Sequence, residues 1–161
     1  MITCTHTSDG LETVPAAPVT PATPLARVLL IEDSGDEMLL VKQTLQEFGQ
    51  GQFKLEWSRG LRGRAARRLR RGRVDVVLLD LGLSECEGPA TCVAVRDKAP
   101  YVPIVVLTGD ERKKTEELAM ACGADDYLVK DQVSPPALIH AIRAAICRKK
   151  ARSTSWDLSQ L

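Results

Sequence analysis

The chain has 161 residues, 44% of them hydrophobic, and a formal net charge of +1. That length suffices for one domain with its own core, the charge balance points to no particular partner, and no apolar run approaches the roughly 18–20 residues needed to cross a bilayer. The N-terminus is neither basic nor continuously apolar, which argues against a secretory signal. The five cysteines form no CxxC and no His/Cys cluster, so they read as reduced thiols in a cytoplasmic protein without structural zinc.

Residues 1–26 are set apart by Pro15, Pro18, Pro21 and Pro24, which recur every three residues among Ala, Thr and Val. Such a composition favours extended, solvated chain, and the segment reads as a disordered Pro/Thr-rich tail. The folded domain is expected over 27–147. VLLIED (Val28–Asp33) is a short aliphatic strand that ends in two acids. Asp36–Phe48 follows as a helix, with Met38, Val41, Leu45 and Phe48 at helical spacing. FKLEWS (Phe53–Ser58) alternates and suits a strand nearer an edge. Gly60–Arg71 reads as an arginine-rich helix, Val74–Asp80 (VDVVLLD) as a strand, and Pro89–Lys98 as a helix with proline in its first turn. VPIVVLT (Val102–Thr108) is a fourth strand, Glu111–Cys122 a helix stopped by Gly123, and DYLVK (Asp126–Lys130) a fifth strand. Ser134 and Pro135 open a last helix with Leu138, Ile139, Ile142 and Ile146 as its apolar stripe. Residues 148–161 read as a basic, then polar tail. Continuous aliphatic strands alternating with helices predict an α/β fold, a doubly wound five-stranded parallel sheet with five helices.

In such a sheet, ligands meet the carboxyl ends of the strands. Glu32, Asp33, Asp80, Thr108 and Lys130 all arrive at that edge, each delivered by an aliphatic run. Carboxylates gathered there either raise a pKa or take up a cation, and an all-oxygen set suits Mg²⁺. A carboxylate can also accept a phosphoryl group as a nucleophile. Asp80 is the natural nucleophile, Asp33 and Glu32 the metal ligands, Thr108 the hydroxyl that reads the phosphoryl group, and Lys130 its counter-charge.

With those positions in order, the chain resembles the receiver domain of two-component response regulators over about Arg27–Cys147. The resemblance rests on the acidic pair Glu32 and Asp33, the phosphoacceptor position Asp80, the hydroxyl position Thr108, the lysine position Lys130, the aromatic switch position Tyr127, and Gly88 in the loop after the acceptor. It implies the flavodoxin-like receiver fold and phosphorylation of Asp80 by a histidine kinase or histidine phosphotransfer protein. It also implies Mg²⁺ or Mn²⁺ held by Glu32, Asp33, Asp80 and the backbone carbonyl of Gly82, and no enzyme beyond self-phosphorylation and dephosphorylation. Thr108 and Tyr127 would then move and reshape the face made by the fourth helix, fifth strand and fifth helix. That face is where an unknown downstream protein or a second copy would bind. About 14 residues follow the last helix, so a stand-alone single-domain response regulator is expected, with no direct DNA binding and no membrane association.

Two positions depart from the family pattern. Ser84 stands where a proline is common four residues after the acceptor, and Asp131 where a proline, often cis, follows the lysine. A non-proline cis bond costs roughly 2.5–4 kcal/mol, so a trans bond is expected there. Asp110, two residues after Thr108, places a further negative charge beside the pocket and is expected to affect phosphoryl lifetime.

Outside the site, eight arginines fall between Arg59 and Arg73 without an acid among them, which leaves −7 for the rest of the chain. The run reads as a solvated helix face whose long stems cover apolar surface; were it a patch, an acidic protein surface suits it better than DNA, because no aromatic residues interleave for stacking. His6 and His140 read as solvated or packing residues, and Cys92, Cys122 and Cys147 as packing residues. Two competing functions remain open on the sequence. One is a phosphorylation-independent interaction module on the same fold. The other is a haloacid-dehalogenase-like phosphotransferase, which wants a second aspartate where Gly82 stands.

Overall fold

The computed structural model describes residues 25–158, with side chains through residue 152. In chain order the elements are β1 (Ala26–Ile31), α1 (Gly35–Phe48), β2 (Phe53–Ser58), α2 (Arg64–Arg70), β3 (Val76–Leu79), β4 (Gly82–Leu83), β5 (Cys86–Glu87), α3 (Ala90–Lys98), β6 (Ile104–Thr108), α4 (Lys113–Ala121), β7 (Asp126–Val129) and α5 (Pro135–Leu158). Five strands form one parallel sheet in the order β2-β1-β3-β6-β7. The expected α/β fold is therefore the observed one, and FKLEWS lies at an edge as its alternation requires.

The central strands are aliphatic throughout because each is covered on both faces. Leu29, Ile31, Val77, Leu79, Ile104 and Val106 point to the side of α2, α3 and α4, where Ala65, Leu69, Cys92, Val95 and Ala119 close over them. Val28, Leu30, Val76, Leu78, Val105 and Leu107 point the other way, under Val41 and Leu45 of α1 and Leu138, Ile139 and Ile142 of α5. The period of two in a strand sends neighbours to opposite layers, so only a continuous aliphatic run satisfies both. Each such side chain removed from water contributes about 1.5–3 kcal/mol.

Several boundaries differ from the sequence reading, each for a local reason. The first strand begins at Ala26, so of the segment read as a tail only Leu25 and Ala26 are described; the remainder, with Cys4 and His6, lies outside the described residues. Helix α2 starts at Arg64 rather than Gly60, because Gly63 has φ +59° and ψ −108° and breaks the run. Helix α4 starts at Lys113 rather than Glu111, because Arg112 is extended and its N–H is held by the Asp110 carboxylate at 2.9 Å. Between β3 and α3 the chain forms an unanticipated antiparallel hairpin, β4 against β5. Helix α5 runs on to Leu158, past the tail start expected near residue 148; nothing in RKKARSTSWDL is a glycine or proline that would stop it. Among the described residues no helix is long and apolar enough to cross a membrane.

Candidate functional site

The strand order reverses between β1 and β3, and the residues that leave these two neighbours at their carboxyl ends are Glu32 and Asp80. The ladder continues just past the strands: Asp80 N–H donates to the Ile31 carbonyl at 3.0 Å, and Glu32 N–H to the Ser58 carbonyl at 3.0 Å. Both side chains are thereby fixed at the crevice where parallel α/β sheets bind ligands. Glu32, Asp33 and Asp80 each offer a carboxylate oxygen, and these oxygens all lie within 4.8 Å of one another. Glu32 is 2% exposed and Asp80 7% exposed.

Lys130 leaves β7 into the same crevice, its backbone N–H bonded to the Thr108 carbonyl at 2.9 Å. Its ammonium lies 2.6 Å from Glu32 Oε2, 3.7 Å from Asp80 Oδ1 and 3.8 Å from Glu37 Oε2. One cation thus faces three carboxylates, with Asp33 a fourth close by. Burial raises the Glu32 pKa, and the Asp80 charge adds to this, while bonds from Lys130 and the Ser34 N–H oppose them. Burial pulls Lys130 down, but the Glu32 hydrogen bond and the charges of Asp80, Glu32 and Glu37 outweigh it and hold the ammonium above its ordinary value. All donors in the cluster are hard oxygens, and a buried carboxylate excess is what a small divalent cation relieves, so Glu32, Asp33 and Asp80 fit Mg²⁺.

Thr108 ends β6 and is buried. Its hydroxyl accepts from the Asp110 N–H at 3.4 Å, and it lines one cleft with Asp80, Gly82, Gly88, Glu37 and Lys130. Gly82 is placed against Asp80 itself: a Cβ there would sit 3.2 Å from Asp80 Oδ2. Gly88 closes the hairpin loop with φ +74°, a conformation L side chains rarely adopt, and donates to the Leu81 carbonyl at 2.7 Å. Ser84, in the hairpin turn, donates its N–H to Asp33 Oδ2 at 3.2 Å. The Lys130–Asp131 bond is trans, as expected without proline.

Tyr127 is half-buried beside the α2–α4 layer and does not line the cleft with Asp80. Its hydroxyl donates to the Asp110 carbonyl at 2.6 Å. Asp110 is not the bare charge the sequence suggested. Arg112 grips its carboxylate through Nε, at 2.9 and 3.1 Å, and through a terminal nitrogen at 2.6 Å; the Thr115 hydroxyl adds a bond at 2.9 Å. The Arg112 guanidinium and backbone N–H hold this carboxyl well below the usual carboxylate range.

Four participants were not singled out from the sequence: Glu37, Ser34, Trp57 and Arg112. Ser34-x-x-Glu37 carries the pattern of a capping box, and Ser34 Oγ does accept from the Glu37 N–H at 3.3 Å. The reciprocal bond is replaced, since the Ser34 N–H goes to Glu32 Oε1 at 3.0 Å. The Glu37 carboxylate is left to face Lys130. Trp57 donates its indole N–H to the Glu32 carbonyl at 2.7 Å, a pairing between separate strands that no local pattern announces.

The comparisons agree with this geometry. The model of the response regulator receiver domain matches residues 28–143, and the chain belongs to that family, whose members are signalling domains rather than dedicated enzymes. Among curated proteins, the swarming motility regulation protein RssB of Serratia marcescens is 31% identical over 135 residues, which are 83% of this chain and 59% of RssB. The regulatory protein VanR of Enterococcus faecium is 28% identical over 77% of this chain and 51% of its own. The chain therefore spans between half and three fifths of these relatives. A receiver domain from Clostridium thermocellum superposes with a TM-score of 0.68 at 27% identity, covering 79% of this chain and 98% of that one. The receiver domain of a Pseudomonas aeruginosa sensor histidine kinase, crystallised with a magnesium ion in its active site cleft, gives a TM-score of 0.62 at 24% identity over 76% of this chain and 98% of its own; at that identity it speaks for the fold alone. Family membership sets aside the dehalogenase-type reading, which Gly82 already disfavoured.

Proposed function

We propose that this chain is a phosphorylation-controlled receiver in which Asp80 accepts a phosphoryl group from a phosphohistidine of a sensor kinase or phosphotransfer protein. The observation that carries this reading is the imbalance at the switch point, where Glu32, Asp33 and Asp80 converge with Lys130 as the cation among them. The Asp80 carboxylate oxygen attacks phosphorus; a P–O bond forms, the P–N bond breaks, and the imidazole nitrogen leaves with the electron pair. Mg²⁺ (or Mn²⁺), held by Glu32, Asp33, Asp80 and the Gly82 carbonyl, supplies neutralisation of the phosphoryl oxygens when bound. Lys130 exchanges part of its carboxylate company for a phosphoryl oxygen, and the Thr108 hydroxyl donates to another. Thr108 and Asp110 are joined by one hydrogen bond, and Asp110 to Tyr127 by another. A shift of Thr108 toward the phosphoryl group therefore pulls on the loop that Tyr127 holds. This is a local charge event biasing the α4–β7–α5 face toward a downstream protein or a second copy. The reading fits a cytoplasmic protein.

Intact mass after incubation with acetyl phosphate or phosphoramidate and Mg²⁺ tests the acceptor. The expected result is a gain of about 80 Da, one phosphoryl group, that needs Mg²⁺ and is absent in Asp80→Ala. Absence of the adduct together with absence of Mg²⁺ binding would overturn the site; absence of the adduct with Mg²⁺ bound would favour an interaction module.

A further inference from the structure

The arginine run has properties that a merely solvated helix face does not require. Leu61, Ala65 and Leu69 are already buried against the α2–α4 layer. Arg59 lies over the Trp57 ring at 5.3 Å, Arg68 pairs with Glu56 at 2.6 Å, and Arg62 stands 3.9 Å from Glu85. Arg64, Arg67, Arg70, Arg71 and Arg73 are exposed and have no acidic partner among the described residues. A row of like charges in one short segment repels itself, so its native arrangement is costly unless something neutralises it.

Beside this row lies a groove between α2 and α3. Its floor is Leu61, Ala66 and Ala94, and its rim carries Arg62 and Arg70. Ala66 of α2 and Ala94 of α3 both line it and are only partly covered, since a methyl group on each helix is too short to fill the space. One end already holds a carboxylate of this chain: Glu85, from the β4–β5 turn, accepts the Leu61 N–H there.

We propose that the α2–α3 groove with its arginine rim is a docking surface for an acidic, amphipathic segment of a partner protein. Carboxylates of the segment would neutralise Arg62, Arg70 and the neighbouring unpaired guanidinium groups, and an aliphatic side chain would cover Ala66 and Ala94. A nucleic acid offers the charge but no aliphatic group for the floor, and the arginine segment offers it no aromatic ring for stacking. The floor is what favours protein.

The test titrates a short synthetic helix-forming peptide, glutamates on one face and leucines on the other, into the isotope-labelled full chain. Two controls run beside it: the same peptide with glutamine in place of leucine, and a short duplex DNA. Saturable amide shifts confined to 60–73 and α3 are expected, with the leucine-free peptide weaker by about tenfold or more. Arg62→Ala with Arg70→Ala weakens binding by about tenfold or more, and Ala94→Leu, which fills the floor without changing charge, weakens it as well. Equal binding of the leucine-free peptide or of DNA at these residues would overturn the proposal in favour of a general polyanion patch. Shifts elsewhere, or no saturable binding, would overturn it outright.

Discussion

The two ends of the sheet use the same residue types to opposite effect. Where the strands begin, Asp75 Oδ2 accepts the Arg27 N–H at 2.7 Å, and Asp125 Oδ2 accepts the Ile104 N–H at 2.8 Å and an Arg96 nitrogen at 3.3 Å. Arg96 also donates to the Pro100 carbonyl at 2.9 Å, to the Val102 carbonyl at 2.6 Å and to the Gly123 carbonyl. Asp125 has Arg96 as its counter-charge, Asp75 bonds to a backbone N–H, and these polar groups act as fasteners between loops. Where the strands end, Lys130 stands among Glu32, Glu37 and Asp80, with Asp33 adjoining. Acidity alone does not distinguish the two ends, since both carry aspartates, but Glu32 and Asp80 are buried where Asp75 and Asp125 are only partly so. A second distinction is crowding: among the described residues, Glu32, Glu37 and Asp80 share one lysine at the carboxyl end, which gives that end reason to recruit a cation and a phosphoryl group.

Four experiments break or sharpen this contrast. The largest effect belongs to Lys130→Ala, which removes the counter-charge at the carboxyl end; the rate of phosphoryl incorporation, followed by intact mass, is expected to fall by about a hundredfold. Next is Arg96→Ala at the opposite end. It strips donors from three carbonyls and leaves Asp125 short of its cation, at an expected cost of about 2 kcal/mol in denaturant unfolding. Phosphoryl incorporation should be unchanged, and a loss there would erase the division of labour.

Third, Glu32→Gln should weaken Mg²⁺ binding, measured calorimetrically, by about tenfold. Its pH dependence carries the sign of the shift. The folded state favours protonated Glu32, so this residue's contribution to stability is fully present below about 4.5 and is lost as pH rises through its raised folded value. Mg²⁺ should therefore raise the unfolding midpoint more at neutral pH than in acid, and Glu32→Gln should flatten that difference. The smallest effect is expected for Ser34→Ala, which removes the α1 cap bond and lowers stability by about 0.5–1 kcal/mol.

The sheet, its order of elements and the acidic rim were legible in the sequence because each rests on a one-dimensional rule. Aliphatic runs mark buried parallel strands, and whatever follows such a run arrives at the ligand edge. Glu32, Asp33, Asp80, Thr108 and Lys130 were accessible in this way. The β4–β5 hairpin was not, since two-residue strands carry no periodicity. Nor was the neutralisation of Asp110 by Arg112, which depends on a side chain folding back two residues along the chain. The start of α2 depended on the φ of Gly63, a value that composition does not disclose. The Trp57–Glu32 contact joins residues 25 positions apart and exists only once β1 and β2 are in register.

That last contact makes the protein its own instrument. An indole whose N–H is tied at 2.7 Å to the carbonyl of a cluster residue, with the Arg59 guanidinium over its ring, emits in a field set by that cluster. Any cation drawn to Glu32 alters the field, and the Trp57 emission should change with it. In a Trp156→Phe background the remaining fluorescence reports a single locus, so occupancy of the acidic rim can be followed continuously, without label or phosphodonor.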